Sequence, residues 1–464
     1  MAEAAHGSQQ VAPGHTDGSA SRARSRTMLE WFRVVAGTNL VILLLNFATG
    51  AISARVLGPA GKGVFAAVSV WTNVFSGFAG MGLYTAFISI YARSNPEDRP
   101  GVARALLVLA CWWGMIGTLA VYLLEPLLIG HLAPRAAAWA RLSSPLVALY
   151  AICSAGGAYL SAERRFGLPN WLGFLRTLLY SGILIGLAIW GLLNPYTQLA
   201  LSWVLMGSTM VVTLVVGVRA LPLRWGGVAL RVLWNLSLLG WRYFALGLLS
   251  LFNSQLDQMI ASAWLSAGDM GFYAVAISSL NVVGTLTGAI GTIMFPSIAG
   301  DSRDAVIERT VRVARRAVIL FVLTVLFVSA CAWPFVFLVY GRAYLPVVRV
   351  VMLIAPTAAC VGAITVFYQA FYALRWFWGP TLGEGVGAGS GALLLWLLIP
   401  RWGLDGAAVA TTISYALDLA IVLWYWQRVS AVPLGDLLPR RADLRFVIHQ
   451  ARLAPSLLLK GMAA

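Results

Sequence analysis

The sequence predicts an all-α polytopic membrane protein with about twelve transmembrane helices, arranged as two six-helix lobes around a central cavity. Three observations lead to this fold class. The 464 residues are 60% hydrophobic and only 11% charged, whereas soluble domains are about 45–50% apolar and about 25% charged. Twelve separate apolar runs are each long enough for a helix of about 20 residues to cross a bilayer. These crossings need about 240 residues, which leaves no room for a large domain outside the membrane.

The apolar runs are expected to be helices, because only helices satisfy their own backbone in lipid without closing a barrel. The predicted spans are Val34–Ala54, Val64–Tyr91, Ala105–Leu124, Leu142–Ser161, Trp171–Leu193, Tyr196–Val218, Tyr243–Ala263, Phe272–Ile298, Val318–Val339, Val350–Leu374, Thr381–Ile399 and Gly406–Trp426. Around them we expect a disordered cytoplasmic tail at residues 1–29, a lobe at 30–221, a cytoplasmic linker at 222–242, a second lobe at 243–428 and a basic amphipathic tail at 429–464.

The distribution of positive charge predicts the orientation. The chain has 33 Lys and Arg against 17 Asp and Glu, a net charge of +16, and cytoplasmic loops of membrane proteins carry the excess of Lys and Arg. With the N-terminus inside, 25 of the 33 lie on cytoplasmic segments, 7 lie on outward connections and Arg176 alone lies within a span. We therefore expect both termini in the cytoplasm. The membrane topology therefore accounts for the net positive charge, and we expect no nucleic-acid partner.

Three basic cytoplasmic segments are expected to lie as amphipathic helices on the anionic inner leaflet, with solvated linker as the alternative. These segments are Val228–Leu239, Arg303–Arg316 and Leu434–Leu459. The four cysteines lack the paired spacing of a metal or redox site. We therefore expect these cysteines to be buried as small hydrophobic residues, and we expect no bound metal. The glycine-rich runs Gly284–Gly291 and Gly383–Gly391 lack the Gly-Lys-Ser/Thr ending of a nucleotide-binding loop, which favours close helix packing.

A short internal match indicates two parallel halves. When the sequence is shifted by 208 residues, Leu57–Ala66 aligns with Leu265–Ala274, with matching Leu, Gly and Ala positions and an aromatic residue opposite an aromatic residue. The shift carries the second span onto the eighth, six helices later. Halves repeated in the same direction are related by an axis along the membrane normal and enclose a central pathway. This arrangement predicts alternating access.

Several motifs resemble the polysaccharide or oligosaccharide (Wzx-like) flippase family. They are Ala54–Ala66, Leu256–Ile260, Gly271–Ala276, Phe295–Ile298 and Ile399–Ala410. That family belongs to the superfamily that also contains multidrug and toxin extruders and lipid II flippases. The resemblance covers most of residues 30–428 and rests on the order and spacing of the motifs.

The resemblance implies a function in surface polysaccharide biosynthesis, such as that of O-antigen or exopolysaccharide. It implies a flippase that moves an undecaprenyl-pyrophosphate-linked oligosaccharide from the cytoplasmic to the periplasmic leaflet of the bacterial inner membrane. A polysaccharide polymerase and a chain-length regulator are the expected protein partners. The sequence contains no nucleotide-binding motif, so we expect energy from a H⁺ or Na⁺ gradient, the membrane potential or downstream removal of the substrate.

Two arginines are candidates for binding the pyrophosphate. Arg176 is predicted about two turns inside the fifth span and Arg55 at the end of the first, and a guanidinium fork matches phosphate oxygens. The alternatives are a structural ion pair or snorkelling for Arg176 and an ordinary loop-edge position for Arg55.

Polar and acidic residues within the second-half spans are candidates for substrate and ion binding. The run around Asp257, which includes Asn253 and Gln255, is the most polar in any predicted span, so it is expected to face the cavity. Asp257, Glu384 and Asp418 are candidates for binding a coupling ion or proton, and Asp257 also for pairing with Arg176 or Arg55. The alternative is a structural role, with hydrogen bonds to neighbouring hydroxyl groups.

Two other functions are weighed against the flippase. A cation-coupled multidrug exporter of the same fold would have a cavity that is more acidic and apolar than cationic. A membrane glycosyltransferase or polysaccharide polymerase would need a long outward loop with acidic residues. The longest predicted outward loop, Glu125–Arg141, has a single carboxylate, Glu125, which is predicted at the membrane edge. The enzyme interpretation is therefore disfavoured.

Overall fold

The computed structural model of the chain describes residues 18–80, 82–133, 135–163, 167–220, 230–298 and 301–445. Within these ranges the chain is almost entirely helical and contains no strand. The helices are α1 (Gly18–Gly80), α2 (Leu83–Arg93), α3 (Arg99–Ile129), α4 (Ala136–Ser143), α5 (Pro145–Ala162), α6 (Gly167–Ile189), α7 (Pro195–Ala220), α8 (Leu230–Trp264), α9 (Ala267–Ile298), α10 (Arg303–Val339), α11 (Val347–Leu374) and α12 (Trp378–Ser430). The predicted all-α membrane fold is confirmed.

The helices divide differently from the predicted spans, although about twelve crossings remain. The first two spans join in α1, which bends at Gly58 (φ +66°), and the last two join in α12, which bends at Gly403 (φ +54°). Glycine adopts these positive φ values without steric cost, so each bend needs no loop. α1 also begins at Gly18, inside the stretch predicted as a disordered tail, where Ala, Arg, Met and Leu favour a helix.

The described helices have the length and composition of membrane spans. Eight helical stretches among the described residues are long and apolar enough to cross a bilayer. Two of them have 53 residues each: Val41–Arg93, which takes in parts of α1 and α2, and Trp378–Ser430, which is α12. α8 and α9, with 35 and 32 residues, also exceed the roughly 20 residues that a crossing needs. The chain is therefore a multi-pass membrane protein.

The helices pack in two groups. In the first half, α3 packs on α5, α5 on α7, and α1 on α3 and α6. In the second half, α11 packs on α9, α10 and α12, and α8 packs on α12. This grouping follows the chain order of the two predicted six-helix lobes.

The two halves meet at both ends of the bundle. At one end, α1 crosses α9 where Gly63 faces Gly271. A Cβ atom on Gly63 would lie 1.8 Å from the Ala267 carbonyl oxygen, and one on Gly271 would lie 1.9 Å from the Pro59 carbonyl oxygen. At the other end, an apolar cluster joins the start of α8 to α2 and α3. The cluster includes Leu83 and Phe87 of α2, Leu106 of α3, and Leu236 and Phe244 of α8.

The basic segments continue membrane helices or pack on them. Val228–Leu239 overlaps the start of α8, and Arg303–Arg316 forms the first turns of α10. From the third segment, a 3₁₀ turn at Leu434–Leu437 lies against α10. There the Arg315 guanidinium donates to the Asp436 carbonyl. Residues 446–459 of that segment lie outside the described residues.

Candidate substrate and ion site

Asp257 lies at the centre of a hydrogen-bonded chain that joins three helices of the second half. The Tyr273 hydroxyl on α9 donates to Asp257 Oδ2 on α8 at 2.9 Å. The same hydroxyl lies 2.9 Å from Thr411 Oγ1 on α12. Tyr273 and Thr411 are buried. The carboxyl of Asp257 is therefore oriented by Tyr273 of α9, whose hydroxyl in turn contacts Thr411 of α12.

Asp418 lies deeper, with only 1% of its surface exposed. Asn253 on α8 donates its amide to Asp418 Oδ2 at 3.2 Å, and the Tyr368 hydroxyl on α11 donates to Oδ1 at 3.4 Å. Gly383 and Gly387 leave the space for this carboxyl, because a Cβ atom on them would lie 2.4 Å and 3.3 Å from its oxygens. The glycine-rich run therefore serves close packing at these two positions.

Glu384 completes a group of three carboxyls in the second half, which we call the carboxyl cluster (Asp257, Glu384 and Asp418). Glu384 lies within electrostatic range of Asp418. Tyr415 lies within electrostatic range of all three members, and its hydroxyl donates to the Asn253 carbonyl at 3.2 Å. The cluster thus spans α8 and both parts of α12.

The cluster borders a cavity of about 250 Å³ between α8, α9, α11 and α12. Its polar lining comes from Ser254, Gln255, Asp257, Gln258, Thr357, Thr411 and Tyr415. Two of the residues predicted from the polar run, Gln255 and Asp257, face this cavity. Asn253 does not line it, but its carbonyl accepts a hydrogen bond from Tyr415, which does. The volume is enough for several water molecules or a hydrated cation.

The two aspartates of the cluster are held by neutral groups. Across the described ranges, neither Asp257 nor Asp418 forms an ion pair with Lys or Arg. In the same ranges, no group of three or more His, Cys, Asp and Glu side chains is arranged to hold a metal ion. Carboxyls in such surroundings suit a proton or a single monovalent cation.

Arg176 is half-buried on α6, in the stretch Trp171–Ile189 that can cross the membrane. Its guanidinium has neither a hydrogen bond nor an ion pair with any described residue. The structure therefore does not show the predicted pairing of Arg176 with Asp257, whose carboxyl is bonded to Tyr273. A cation without a protein partner at such a position is available to an anionic ligand.

Arg55 has a different environment. Its Nε donates to the Val339 carbonyl at 2.7 Å, and its Nη2 donates to the Leu338 carbonyl. These are the last carbonyls of α10, which have no partner within the helix and carry its negative dipole end. Arg55 therefore joins α1 to α10 in this conformation and does not pair with Asp257.

Two buried charged groups were assigned to loops by sequence reasoning. Lys62, expected in an outward connection, is only 9% exposed, because Pro59 starts the next helical stretch three residues earlier. Its ammonium lies 3.4 Å from Ser53 Oγ. Glu125, expected at the membrane edge, is fully buried near the end of α3. The proline after Gly58 indicates that Lys62 lies in a helix and not in a loop, since proline favours the first position of a helix.

Comparison with known proteins supports the fold and the family. The structure matches that of the lipid II flippase MurJ in an inward closed conformation with a TM-score of 0.73, at 12% identity and 92% coverage of each chain. It also matches an inward-facing multidrug resistance MATE family transporter of the MOP superfamily. That match has a TM-score of 0.63 at 14% identity, and covers 84% of this chain and 95% of the other.

A third structural match is a MOP superfamily transporter from Pyrococcus furiosus, with a TM-score of 0.53 at 15% identity, covering 86% of this chain and 94% of the other. No curated protein sequence matches the chain. The family model described as polysaccharide biosynthesis protein matches residues 52–349, well over half of the sequence. With its multi-pass helical fold, the chain belongs to this polysaccharide biosynthesis protein family.

Proposed function

We propose that this protein is a flippase that moves a polyprenyl-pyrophosphate-linked oligosaccharide, with undecaprenyl as the carrier, from the cytoplasmic to the periplasmic leaflet of a bacterial inner membrane. The observation that carries the proposal is Arg176, a half-buried guanidinium within a membrane span that no described residue neutralises. Such a group favours an anionic ligand, and its planar fork fits pyrophosphate oxygens. The polysaccharide biosynthesis family supports a glycan as the other part of the substrate.

Alternating access is the proposed mechanism. The two halves touch at both ends, through the α1–α9 crossing and through the apolar cluster of α2, α3 and α8. If these two contacts open alternately, a substrate bound between the halves meets one membrane face at a time. Arg55, which bonds to α10 here, then becomes available to the pyrophosphate when the α1–α10 contact opens. Asn253 and Gln255 are proposed to bind polar groups of the substrate.

The carboxyl cluster is the proposed site of the coupling ion, H⁺ or Na⁺. Asp257 and Asp418 have no cationic partner within the described ranges, and Asp257 opens onto the 250 Å³ cavity. Binding a cation there removes the cost of a charge in a low-dielectric interior. A change of occupancy would then alter the packing of α8 against α12.

Transport in proteoliposomes tests the proposal. The substrate is a fluorescent undecaprenyl-pyrophosphate oligosaccharide, and the measurement is the fraction that moves between leaflets. We expect Arg176→Ala to remove most of the transport while the protein still folds, and Arg176→Lys to retain part of it because charge remains without the fork. Arg401→Ala is the matched control at an exposed arginine. Unchanged transport in Arg176→Ala would exclude the phosphate role.

A cation-coupled multidrug exporter is the second candidate. It is favoured by the two aspartates that have neutral partners near the cavity, because a cavity with acidic groups suits organic cations. The same proteoliposomes separate the two functions. Exchange of a cationic drug against H⁺ or Na⁺, with no movement of the labelled glycolipid, would replace the flippase proposal by the exporter.

A further inference from the structure

Glu125 on α3 is a fully buried carboxyl outside the carboxyl cluster, in the other half of the protein. It has 0% exposure, and its Oε1 has no hydrogen-bond partner among the described residues. Its other oxygen, Oε2, lies 3.2 Å from Ser143 Oγ. Val121 and Ile129, one turn before and one turn after it, are also fully buried. The carboxyl therefore lies in apolar surroundings with a single polar contact.

The hydroxyl groups around Glu125 indicate which atom carries a proton. Each hydroxyl has one proton to donate. The Ser143 hydroxyl has its shortest contact with the Ala140 carbonyl, at 2.7 Å. Thr72 likewise has its shortest contact with the Val68 carbonyl, at 2.9 Å, and lies 3.2 Å from Ser143 Oγ. With both protons used on backbone carbonyls, the contact between Ser143 and Glu125 has a donor only when Glu125 Oε2 is protonated.

An ionised Glu125 would be poorly compensated. Ser143 is its one polar side-chain neighbour among the described residues. No charged or titratable side chain of those residues lies close enough to act on it electrostatically. The charged and titratable groups on the elements around it have other surroundings. Arg141 of α4 lies over the Tyr122 ring of α3, Lys62 of α1 contacts Ser53, and Cys153 is buried within α5. α2 and α8 contact α3 toward its other end, around Leu106.

The position of Glu125 connects it to movable parts of the fold. Pro126 follows it directly and removes one backbone hydrogen bond of α3. Ser143 is the last residue of α4, where the helix is interrupted before α5 begins at Pro145. Thr72 lies on α1, about 14 Å along the helix axis from the Gly63 crossing. The same end of α3 contacts the second half: His131 Nε2 lies 3.4 Å from the Leu265 carbonyl just before α9, and Ile129 and Ala140 share an apolar cluster with Met270 of α9. Separation of the halves at the α1–α9 crossing would therefore uncover this end of α3 and let water reach the surroundings of Glu125.

We propose that Glu125 is a proton-binding site in the first half of the transporter, protonated while the α1–α9 crossing is closed and deprotonated when that crossing opens to water. In the closed state, the proton lies on Oε2 and is donated to Ser143 Oγ. On opening, the proton passes to water and leaves a hydrated carboxylate. The inference rests on the proposed function and extends it by adding a second proton-binding site in the first half, separate from the carboxyl cluster.

Infrared difference spectroscopy of the full-length protein in lipid tests the protonation state. At neutral pH we expect a protonated carboxyl carbonyl absorption in the unsubstituted protein, with a component from Glu125 that is absent in Glu125→Gln. Glu308→Gln, at an exposed carboxylate paired with Arg312, is the matched control and should retain the absorption. Ser143→Ala should shift the band to higher frequency, because the proton loses its acceptor. Identical spectra of the unsubstituted protein and Glu125→Gln would overturn the proposal.

Thiol accessibility tests the link to the crossing. In a background without the four native cysteines, Lys62→Cys reports opening of the crossing, and Arg342→Cys, at an exposed residue, corrects for the reactivity of the reagent. We expect the ratio of the two modification rates to rise with pH, and Glu125→Gln to abolish the rise. The same pH dependence with Glu125→Gln would refute the coupling. Neither measurement uses a glycolipid, so a negative result leaves the flippase proposal standing.

Discussion

Individual polar residues in the second half are oriented by uncharged partners. Tyr273, itself in contact with Thr411, holds Asp257, while Asn253 and Tyr368 hold Asp418. Hydrogen bonds from hydroxyl and amide groups fix a carboxyl without neutralising it. The carboxyls can therefore keep their positions while they exchange a proton or a cation.

Conversion of these aspartates to asparagine distinguishes a role of the carboxyl in ion binding from a role in hydrogen bonding within the fold. In Asp257→Asn and Asp418→Asn the side-chain oxygen still accepts a hydrogen bond, but the negative charge is gone. We expect a folded protein whose transport no longer depends on the H⁺ or Na⁺ gradient, measured in proteoliposomes with imposed gradients. Asp98→Asn, at an exposed position before α3, is the control. Retained gradient dependence in both variants would argue against the cluster as the coupling site.

The Tyr273 hydroxyl is expected to stabilise the second half measurably. Tyr273→Phe leaves Asp257 Oδ2 and Thr411 Oγ1 without this partner in a buried position. Loss of a partner for a buried polar group costs about 1–3 kcal/mol, so the free energy of unfolding should fall by that amount. Unfolding in mixed micelles measures the change. Tyr84→Phe, at an exposed hydroxyl bonded to Ser161, should cost less than about 1 kcal/mol.

At the scale of the helices, the α1–α9 crossing contains the two described glycines at which an added Cβ would come closest to another atom. Gly63 and Gly271 are the residues that the internal repeat aligns, and each meets the backbone opposite its counterpart, at Ala267 and Pro59. This reciprocal arrangement is what a two-fold relation between the halves requires. The sequence indicates the repeat through only a few matching residues. The crossing explains why glycine matches at this position, because each half needs a residue without a side chain there.

A single methyl group at this crossing should prevent its closure. In Gly63→Ala and Gly271→Ala the new Cβ would lie within 2 Å of a backbone oxygen, which cannot move aside without separating the helices. We expect loss of transport and faster modification of a cysteine at position 62. Gly50→Ala, on the same helix with no atom within 4 Å of the new Cβ, should leave both unchanged. Slow modification in the crossing variants would show that the crossing tolerates the methyl group.

For the whole molecule, cysteine labelling tests which end faces the cytoplasm. The predicted topology puts the start of α10 inside and the turn before α11 outside. A cysteine at Arg342 should then react with a membrane-impermeant maleimide in intact cells, and a cysteine at Asp301 only after permeabilisation. Both positions are exposed, so labelling reports sidedness. The reverse pattern would invert the topology and with it the direction proposed for the glycan.

The placement of individual site residues was only partly predictable. The polar run around Asp257 was recognised because polar groups in a span are costly and therefore face a cavity or a partner. Its partners were not recognised, because Tyr273 and Thr411 are ordinary residues in helices far along the chain. The bonds of Arg55 to α10 and the full burial of Glu125 could not be predicted for the same reason. The carbonyls that bind Arg55 lie more than 280 residues away, and the burial of Glu125 depends on how α3 packs against α4.

The sequence by itself determined the all-α membrane fold, the number of crossings and the family. The fold and the crossings depend on the length of apolar runs and on the need of a backbone in lipid to bond within its own helix, both of which are local properties. The family depends on the order and spacing of motifs along the chain. Tertiary structure alone decided that Gly63 meets Gly271, that Arg55 bonds to α10, and that Asp257 bonds to Tyr273 and not to an arginine. Such contacts join residues distant in the chain, and only the packing of one helix against another sets the distance between them.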